Sequence, residues 1–299
     1  MKIAITGGTG LVGQALSSHL IQSGHQVYIL TRNSSESHSI NPKYVQWLNS
    51  GDKPEKELDG IDAIVNLAGA TINNRWTDEY KKKIIDSRLQ ATSEVKRIIE
   101  ELPTKPSVLV NASAVGYYGT SLRKEFTEQS NKGSDFLADT VDQWEASASQ
   151  VHDMGVRPVL CRFGVILDKN GGALPRMVLP YKLFAGGKIG SGKQWLSWIH
   201  IEDVVRGIIF SIENPKVNGP VNFTAPSPVT MEQFGETLSR VINRPHWMRV
   251  PSFALKIMLG EMSILVLEGQ RAMPEKLISA GFTFRYPELD DALKEIFDK

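Results

Sequence analysis

The stretch Lys2–Gly13, "KIAITGGTGLVG", joins a short apolar run to three glycines spaced three residues apart: Gly7, Gly10 and Gly13. The apolar run predicts a β-strand, and the amphipathic stretch from residue 11 to 23 predicts a helix. The run "QVYILTR" (26–32) then predicts a second strand. The glycines therefore lie between the strand and the helix of a β-α-β unit, the context in which such a turn binds a dinucleotide.

Each glycine of this turn has its own physical role in such a site. Gly7 permits the tight turn, Gly10 lets backbone N–H groups approach a pyrophosphate at the helix N-terminus, and Gly13 lets the helix pack on the strand. The alternative is a glycine-rich turn without a ligand. The residues predicted to contact the cofactor in this turn are Gly7, Thr9, Gly10, Leu11, Val12 and Gly13.

The end of the second strand distinguishes between the two nicotinamide cofactors. An acidic residue there binds the ribose of NAD, whereas an arginine accommodates the 2′-phosphate of NADP. Here Thr31 and Arg32 are followed by no acidic residue until Glu36. Arg32 is either a solvated loop cation or the residue that binds the phosphate through its fork of donors. We favour the second interpretation, which predicts NADP(H) as the cofactor.

A third strand is predicted within "DAIVNLAGA" (62–70), and its end also faces the cofactor. The apolar run stops at Asn66 and is followed by Leu67, Ala68 and Gly69. Small residues at this position let the backbone approach the adenosine or ribose side of the ligand.

The spacing G-x-x-G-x-x-G and the element "NLAG" resemble the short-chain dehydrogenase/reductase superfamily, especially its extended, epimerase-like branch. Residues 75–92 ("RWTDEYKKKIIDSRLQAT"), 190–205 ("GSGKQWLSWIHIEDVV") and the C-terminal tail are similar to one atypical subgroup, the "epimerase family" proteins. The resemblance spans essentially the whole chain.

The resemblance implies an α/β fold, a Rossmann-type doubly wound parallel sheet with a smaller substrate lobe and a helical C-terminal appendage. The NADP(H)-binding domain would comprise residues 1–165, completed by about 200–224. The substrate lobe would comprise 166–199 and 225–299, with the helical segment starting near 248. Lys83 and Arg88 are implied cofactor neighbours, and Val165 is expected at the end of the strand beneath the nicotinamide.

The segment "NASAVGYYG" (111–119) carries the predicted catalytic residues. In the resembling enzymes a serine after this strand orients the substrate oxygen, which matches Ser113, and a tyrosine four residues later matches Tyr117. Tyr117 or Tyr118 could donate a proton to a carbonyl, with Ser113 as a second donor. Alternatively, both tyrosines only line or pack the pocket.

The resemblance also implies a Tyr-x-x-x-Lys pair, in which the lysine lowers the pKa of the tyrosine. In the resembling enzymes a glutamate follows this tyrosine by eight residues. Aligning Glu145 in the predicted helix 135–151 with that glutamate places Leu137 at the tyrosine position and Val141 at the lysine position. A shift of one residue places Phe136 and Thr140 there. No Tyr-x-x-x-Lys occurs anywhere in the chain. The usual proton-transfer pair is therefore missing.

Three residues are predicted to contact the substrate: Arg75, Trp76 and Trp198. A cation and a large ring near the crevice suit an anionic or sugar-like ligand, although Trp76 could equally belong to the core. His200, in "WIHIEDVV", is expected to be structural, with a role as a base as the alternative. Asp203 is expected to cap the following helix or to face solvent.

Composition excludes several classes of function. A net charge of +1 without blocks of like charge argues against nucleic acid and against a membrane-surface helix. The single cysteine, Cys161, excludes an intramolecular disulfide and fits the cytoplasm, and the six histidines show no metal-ligand spacing. No apolar run is long enough to span a membrane. The apolar stretch 251–267 could cover the lobe or form a homodimer interface.

Together these patterns predict an NADP(H)-dependent, epimerase/dehydratase-like oxidoreductase that acts on a small polar, sugar-like substrate. The alternative is an NADP(H)-binding regulator or scaffold without turnover, which the missing Tyr-x-x-x-Lys favours.

Overall fold

The computed structural model describes residues 1–33 and 40–298. The strands, in chain order, are β1 (Lys2–Thr6), β2 (Gln26–Thr31), β3 (Lys43–Gln46), β4 (Ala63–Asn66), β5 (Val108–Ala114), β6 (Glu125–Phe126), β7 (Arg157–Phe163), β8 (Val165–Leu167), β9 (Gly187–Ile189), β10 (Trp195–Leu196), β11 (Trp198–His200), β12 (Gly219–Phe223), β13 (Val229–Thr230), β14 (Met248–Val250) and β15 (Arg271–Ala272).

The α-helices are α1 (Leu11–Gln22), α2 (Asp78–Glu101), α3 (Phe136–Ser149), α4 (Leu174–Lys182), α5 (Ile201–Glu213), α6 (Met231–Val241), α7 (Ser252–Leu259), α8 (Ile264–Leu267), α9 (Glu275–Ser279) and α10 (Leu289–Phe297). Short 3₁₀ turns occupy Pro54–Lys56, Val115–Tyr118, Gln150–Met154 and Gly260–Ser263. Within the described ranges, no helix is both long enough and apolar enough to cross a membrane.

Seven strands form the main sheet, in the order β12-β7-β5-β4-β1-β2-β3, and all neighbouring pairs are parallel. The strand order reverses between β1 and β4, so the loops after these two strands diverge and leave a crevice at their carboxyl ends. This confirms the predicted Rossmann-type sheet.

Helices cover both faces of the sheet, because strands of a parallel sheet are apolar on both sides. On one face α1 packs against α5, and Leu16, Leu20 and Ile208 fill the space above Ile3 and Ile5. On the other face α2 packs against α3, and the buried residues of α2 include Val95, Ile98 and Ile99. The two layers fix the ends of the strands that border the crevice.

A third apolar cluster forms the smaller lobe around α4, α6, α10 and Trp198. The lobe also contains short strand pairs, among them the parallel pair of β9 with β14. The boundary at residue 165 stays a sequence-based prediction; in the structure it coincides with the first residue of β8.

The C-terminal region is helical, as predicted, but its last helix is part of the lobe core. Leu293 in α10 is fully buried, and α10 packs against α6. Asp203 has no exposed surface and accepts hydrogen bonds from the backbone N–H groups of Arg285 (2.7 Å) and Tyr286 (2.9 Å). The expectation that Asp203 caps a helix or faces solvent is corrected, since it ties the C-terminal region to α5.

Candidate functional site

Two glycines of the turn between β1 and α1 are tightly packed, and the third has more space beside it. A Cβ on Gly7, whose φ is +65°, would lie 2.8 Å from the backbone of Leu67. A Cβ on Gly13 would lie 2.3 Å from the carbonyl oxygen of Gly7, whereas one on Gly10 would meet only that oxygen, at 3.2 Å. Gly7 and Gly13 are therefore required by packing, whereas the space beside Gly10 is less tightly filled.

The N-terminus of α1 points its unpaired N–H groups into this opening. Gly10 is the N-cap and supplies no side-chain hydrogen bond, and both Thr9 and Gly10 are exposed. Leu11 and Val12 are half-buried, and a Cβ on Gly171 of the lobe would lie 2.9 Å from the Leu11 side chain. An uncapped helix N-terminus of this kind attracts an anion.

A row of buried polar side chains crosses the carboxyl ends of three strands. The Thr6 hydroxyl donates to Asn66 (2.6 Å) and accepts from the N–H groups of Leu67 (3.0 Å) and Ala68 (3.1 Å). The Asn66 amide donates to the Asn111 side-chain oxygen (2.6 Å). These bonds fix the half-buried Leu67 and Ala68 at the rim of the crevice, before the exposed Gly69.

Arg88 places a cation beside this rim. Its guanidinium donates to the carbonyls of Ile84 (2.9 Å) and Ala70 (3.2 Å) and lies 5.0 Å from the Trp144 ring centre. Burial lowers the pKa of Arg88 to about 10, so it remains charged at neutral pH. Within residues 1–33 and 40–298 no carboxylate pairs with it. A half-buried lone cation costs free energy unless an anion is bound.

The other predicted cofactor residues differ in exposure. Arg32 is exposed at the end of β2, after the half-buried Thr31, and its side chain has no ion pair in the described part of the chain. Its carbonyl accepts from Asn49 (3.1 Å), which lines a cavity of about 480 Å³ between the loop after β3 and α2. Lys83 is exposed, and Val165 is half-buried. Glu36 lies outside the described residues.

Ser113 is the outer member of a buried hydrogen-bond network. Its hydroxyl donates to the Glu145 carboxylate (2.5 Å), which also accepts two bonds from Arg162, at 2.8 and 2.7 Å. The side chains of Arg162 and Glu145 are only 2% and 8% exposed. Because the Ser113 proton is donated to Glu145, the hydroxyl oxygen can serve any further partner only as an acceptor.

Tyr118 belongs to the same network. Its hydroxyl accepts from Arg162 (2.9 Å) and donates to the Asn222 side chain (2.7 Å). Burial raises the pKa of Tyr118 to about 12, although the Arg162 cation opposes this shift. Desolvation outweighs the neighbouring charge, and Tyr118 is a neutral phenol near pH 7.

Tyr117 differs from Tyr118 in exposure and partners. It is half-buried, meets the Tyr118 ring edge-on at 5.5 Å, and lies with its ring centre 3.6 Å from the guanidinium carbon of Arg162. Its hydroxyl makes no hydrogen bond to any described residue. Of the three predicted catalytic side chains, Tyr117 alone combines exposure with a free hydroxyl, and all three roles stay predictions.

Helix α3 lacks a proton-transfer pair at the positions that the resemblance implies. Thr140 and Val141 are buried, and the Thr140 hydroxyl donates to the Phe136 carbonyl (2.7 Å). The Phe136 ring has Lys81 of α2 5.6 Å from its centre. Lys81 thus places a cation near one of the two candidate tyrosine positions, but the phenylalanine at that position has no hydroxyl.

The structure places the three predicted substrate residues in different surroundings. Arg75 is exposed, and its Nε would lie 3.8 Å from a Cβ on Gly260 of the C-terminal region. Trp76 is 7% exposed and donates to the Ile72 carbonyl (3.0 Å). Trp198 has no exposed surface and donates to the Ser227 carbonyl (3.0 Å), so substrate contact at this residue could only be indirect.

His200 occupies a structural position. Its Nδ1 accepts the N–H of Glu202 at the start of α5, its Nε2 lies 3.1 Å from Glu295, and it is 3% exposed. Burial lowers its pKa from the ordinary value of 6.5. The interpretation of His200 as a structural residue agrees with these contacts.

The pairing of Glu145 with Arg162 could not be predicted from sequence. Each residue does carry a signal, because a charge flanked by Trp144 or by Cys161 and Phe163 must find a partner when buried. Nothing in the sequence identifies that partner. Among the described residues, no group of three or more His, Cys, Asp or Glu could hold a metal ion.

Comparison with known proteins gives matches over the whole chain. Residues 3–223 match the model of the NAD dependent epimerase/dehydratase family, and 250–296 match a domain of unknown function, DUF1731. The epimerase family protein YfhF of Bacillus subtilis is 52% identical over 297 residues, which cover 99% of this chain and 98% of that protein.

Two solved structures are also similar. A human epimerase family protein, SDR39U1 isoform 2, solved with NADPH, is 34% identical, with a TM-score of 0.90 and complete coverage of both chains. A nucleoside-diphosphate sugar epimerase from Corynebacterium glutamicum is 32% identical with a TM-score of 0.80, over 99% of this chain and 58% of that chain.

Proposed function

This chain belongs to the NAD dependent epimerase/dehydratase family, and we propose that it is an NADP(H)-dependent oxidoreductase of epimerase-like type with a small polar substrate. The observation that carries this proposal is the open, uncapped N-terminus of α1 beside the unpaired Arg88. Both features supply positive charge where a dinucleotide's phosphates would lie. The residues present thus fit the cofactor.

The choice of NADP(H) over NAD(H) rests on Arg32. It is an exposed cation at the end of β2, where an acidic residue would favour NAD. The human relative solved with NADPH supports the same choice. Arg32 would hold the 2′-phosphate, and Arg88 with the N–H groups of α1 would hold the pyrophosphate.

The catalytic part of the proposal assigns different roles to Ser113 and Tyr117. A bound nicotinamide would supply the hydride to a carbonyl carbon of the substrate. The Tyr117 hydroxyl donates a hydrogen bond, and then its proton, to the carbonyl oxygen, and the phenolate that remains regains a proton from solvent. Ser113 orients the substrate by accepting a hydrogen bond from a neighbouring substrate hydroxyl, since its own proton is donated to Glu145. Tyr118 stays buried and neutral behind them.

A second candidate function is a cofactor-binding regulator without turnover. It is favoured by the absence of Tyr-x-x-x-Lys from the sequence and by the raised pKa of Tyr118, which excludes that phenol as a base near neutral pH. The half-buried Tyr117, whose hydroxyl has no partner among the described residues, and the hydrogen-bonded Ser113 favour the enzyme.

Two measurements test the proposal. Calorimetric titration should show tighter binding of NADPH than of NADH; equal affinity, or no binding of either, would sink the cofactor assignment. Incubation with a panel of carbonyl compounds, alcohols and nucleotide sugars should then show cofactor turnover with at least one of them. With that substrate, Ser113→Ala should lose most turnover while NADPH affinity is unchanged. NADPH binding without turnover on the whole panel would favour the regulator.

A further inference from the structure

A large exposed apolar surface lies away from the crevice, on the smaller lobe. The chain exposes thirteen large hydrophobic side chains within the described ranges, and eight of them fall in two short segments, 179–184 and 247–258. In the first segment Leu179, Leu183 and Phe184 are 55–68% exposed. Isolated exposed apolar residues are ordinary, but such a concentration marks an interaction surface.

Backbone pairing brings the two segments together. The strand β9 pairs with β14, and the N–H groups of Trp247 and Met248 donate to the Gly186 carbonyl at 3.0 and 3.1 Å. The Trp247 indole N–H donates to the Phe184 carbonyl (2.9 Å), although the ring is 70% exposed. The two segments therefore form one continuous apolar–basic surface, defined as residues 179–188 and 244–258.

Helix α7 extends this surface. It starts two residues after β14, none of its residues is buried, and Phe253, Ile257 and Met258 are at least 67% exposed. An amphipathic helix is normally stabilised by burying its apolar side. In α7 only Ala254, Leu255 and Leu259 are half-buried, so the most exposed apolar side chains of the helix are not covered by the described part of the chain.

The two segments of the apolar–basic surface carry a net positive charge. Neither segment contains an aspartate or a glutamate. Lys182, Arg244, Arg249 and Lys256 form no ion pair with any residue in the described ranges. Lys188 does pair with Glu232 of α6 (2.8 Å), and the same carboxylate also attracts the Arg249 cation. The surface therefore combines aromatic and aliphatic side chains with a net excess of cations.

These features select among three possible occupants. A second copy would bring two like-charged surfaces together, which is unfavourable. A protein partner would need matched polar groups, but the Trp247 N–H is already bonded. An anionic bilayer needs only apolar side chains that insert and cations that meet the headgroups.

We propose that the apolar–basic surface binds anionic lipid bilayers and holds the protein at a membrane surface. This goes beyond the proposed function and does not depend on it. It reverses the expectation from sequence, where the cations are scattered and no block of like charge is visible. The C-terminal region would then act as a membrane anchor, with Gly260, just after α7, beside Arg75.

Vesicle flotation with the full chain tests this proposal. The protein should float with vesicles of phosphatidylcholine mixed with phosphatidylglycerol, much less with phosphatidylcholine alone, and less at high salt. Ile257→Ser should lower the partition coefficient about tenfold or more, whereas the matched change Ile278→Ser, on α9, should leave it unchanged. Lys256→Glu should lower it about tenfold, and Lys216→Glu, outside the surface, should not.

Each other outcome overturns the proposal in an identifiable way. Failure of the wild-type protein to float with anionic vesicles rejects a membrane role outright. If sedimentation shows a dimer that Ile257→Ser dissociates, the surface is an interface between copies. If the protein does not float with vesicles, but an acidic protein binds to the wild type and not to Ile257→Ser, the surface binds a protein partner rather than a bilayer. Circular dichroism of each variant checks that it is folded.

Discussion

The guanidinium carbon of Arg162 lies 3.6 Å from the ring centre of Tyr117. The guanidinium cannot rotate freely, because Glu145 accepts two of its hydrogen bonds and Tyr118 a third. A cation held against a ring in this way contributes about 0.5–2 kcal/mol. The buried ion pair therefore orients Tyr117, the half-buried tyrosine of the candidate site.

Removing the charge of Glu145 should destabilise the fold strongly. Glu145→Gln leaves the buried Arg162 without its counter-ion, which should lower the free energy of unfolding by about 3–5 kcal/mol in urea titrations. The double change Glu145→Leu with Arg162→Met should recover most of this loss. Lys132→Ala, which breaks exposed ion pairs with Asp139 and Asp142, should have a much smaller effect.

Two glycines of the first turn should respond differently to substitution. Gly13→Ala places a Cβ against backbone that cannot move aside, so the melting temperature should fall by several degrees. Gly10→Val adds a Cβ that meets only the Gly7 carbonyl oxygen, at 3.2 Å, so the melting temperature should fall less than in Gly13→Ala. This variant should nevertheless bind NADPH at least about tenfold more weakly. A Gly10→Val variant with unchanged affinity would contradict the placement of the phosphates.

Arg32 should discriminate between the two nicotinamide cofactors. Arg32→Ala should lower NADPH affinity about 10- to 100-fold, the value of one or two charge-assisted hydrogen bonds, and leave NADH affinity unaltered. Lys43→Ala, an exposed cation on the neighbouring strand β3, serves as the control and should change neither. Equal weakening of both cofactors by Arg32→Ala would assign Arg32 a merely structural role.

His200 should make stability depend on pH in the mildly acidic range. Its folded-state pKa lies below the ordinary 6.5, because burial outweighs attraction by Glu295, Asp203 and Glu202. Below about pH 6.5 the unfolded chain therefore binds a proton that the folded chain does not, and stability falls as the pH falls. His200→Asn keeps a side chain that can cap the helix, and it should reduce the decrease in stability between about pH 7 and 5. The exposed His152→Asn should leave the slope as it is.

Substitution of Tyr117 should affect turnover, whereas substitution of Tyr118 should affect stability. Once a substrate is found, Tyr117→Phe should lower turnover about 100- to 10,000-fold with little change in stability. Tyr118→Phe leaves one N–H of Arg162 and the side-chain oxygen of Asn222 without a partner, so it should lower the free energy of unfolding by about 1–3 kcal/mol. The opposite assignment, with turnover lost only in Tyr118→Phe, would show that the buried hydroxyl reaches the substrate.

Local sequence patterns were sufficient to predict the part of the fold that is expected to bind the cofactor. A short apolar run, three spaced glycines and an amphipathic stretch lie within Lys2–Gln22, and contacts within such a stretch are determined by backbone geometry. The same holds for the strand end at Asn66 and for Arg32 after β2. The expectation for Asp203 was wrong, because burial depends on which distant elements cover a residue.

The sequence by itself determined where the chain turns, because a glycine's steric freedom and the period of an apolar pattern are local properties. Only the tertiary structure decided which charges meet. Ser113 and Arg162 reach Glu145 across 32 and 17 residues, and Tyr118 reaches Asn222 across 104. The segments of the apolar–basic surface are likewise joined by the pairing of β9 with β14. Such pairs form where packing excludes water, and packing is a property of the whole fold.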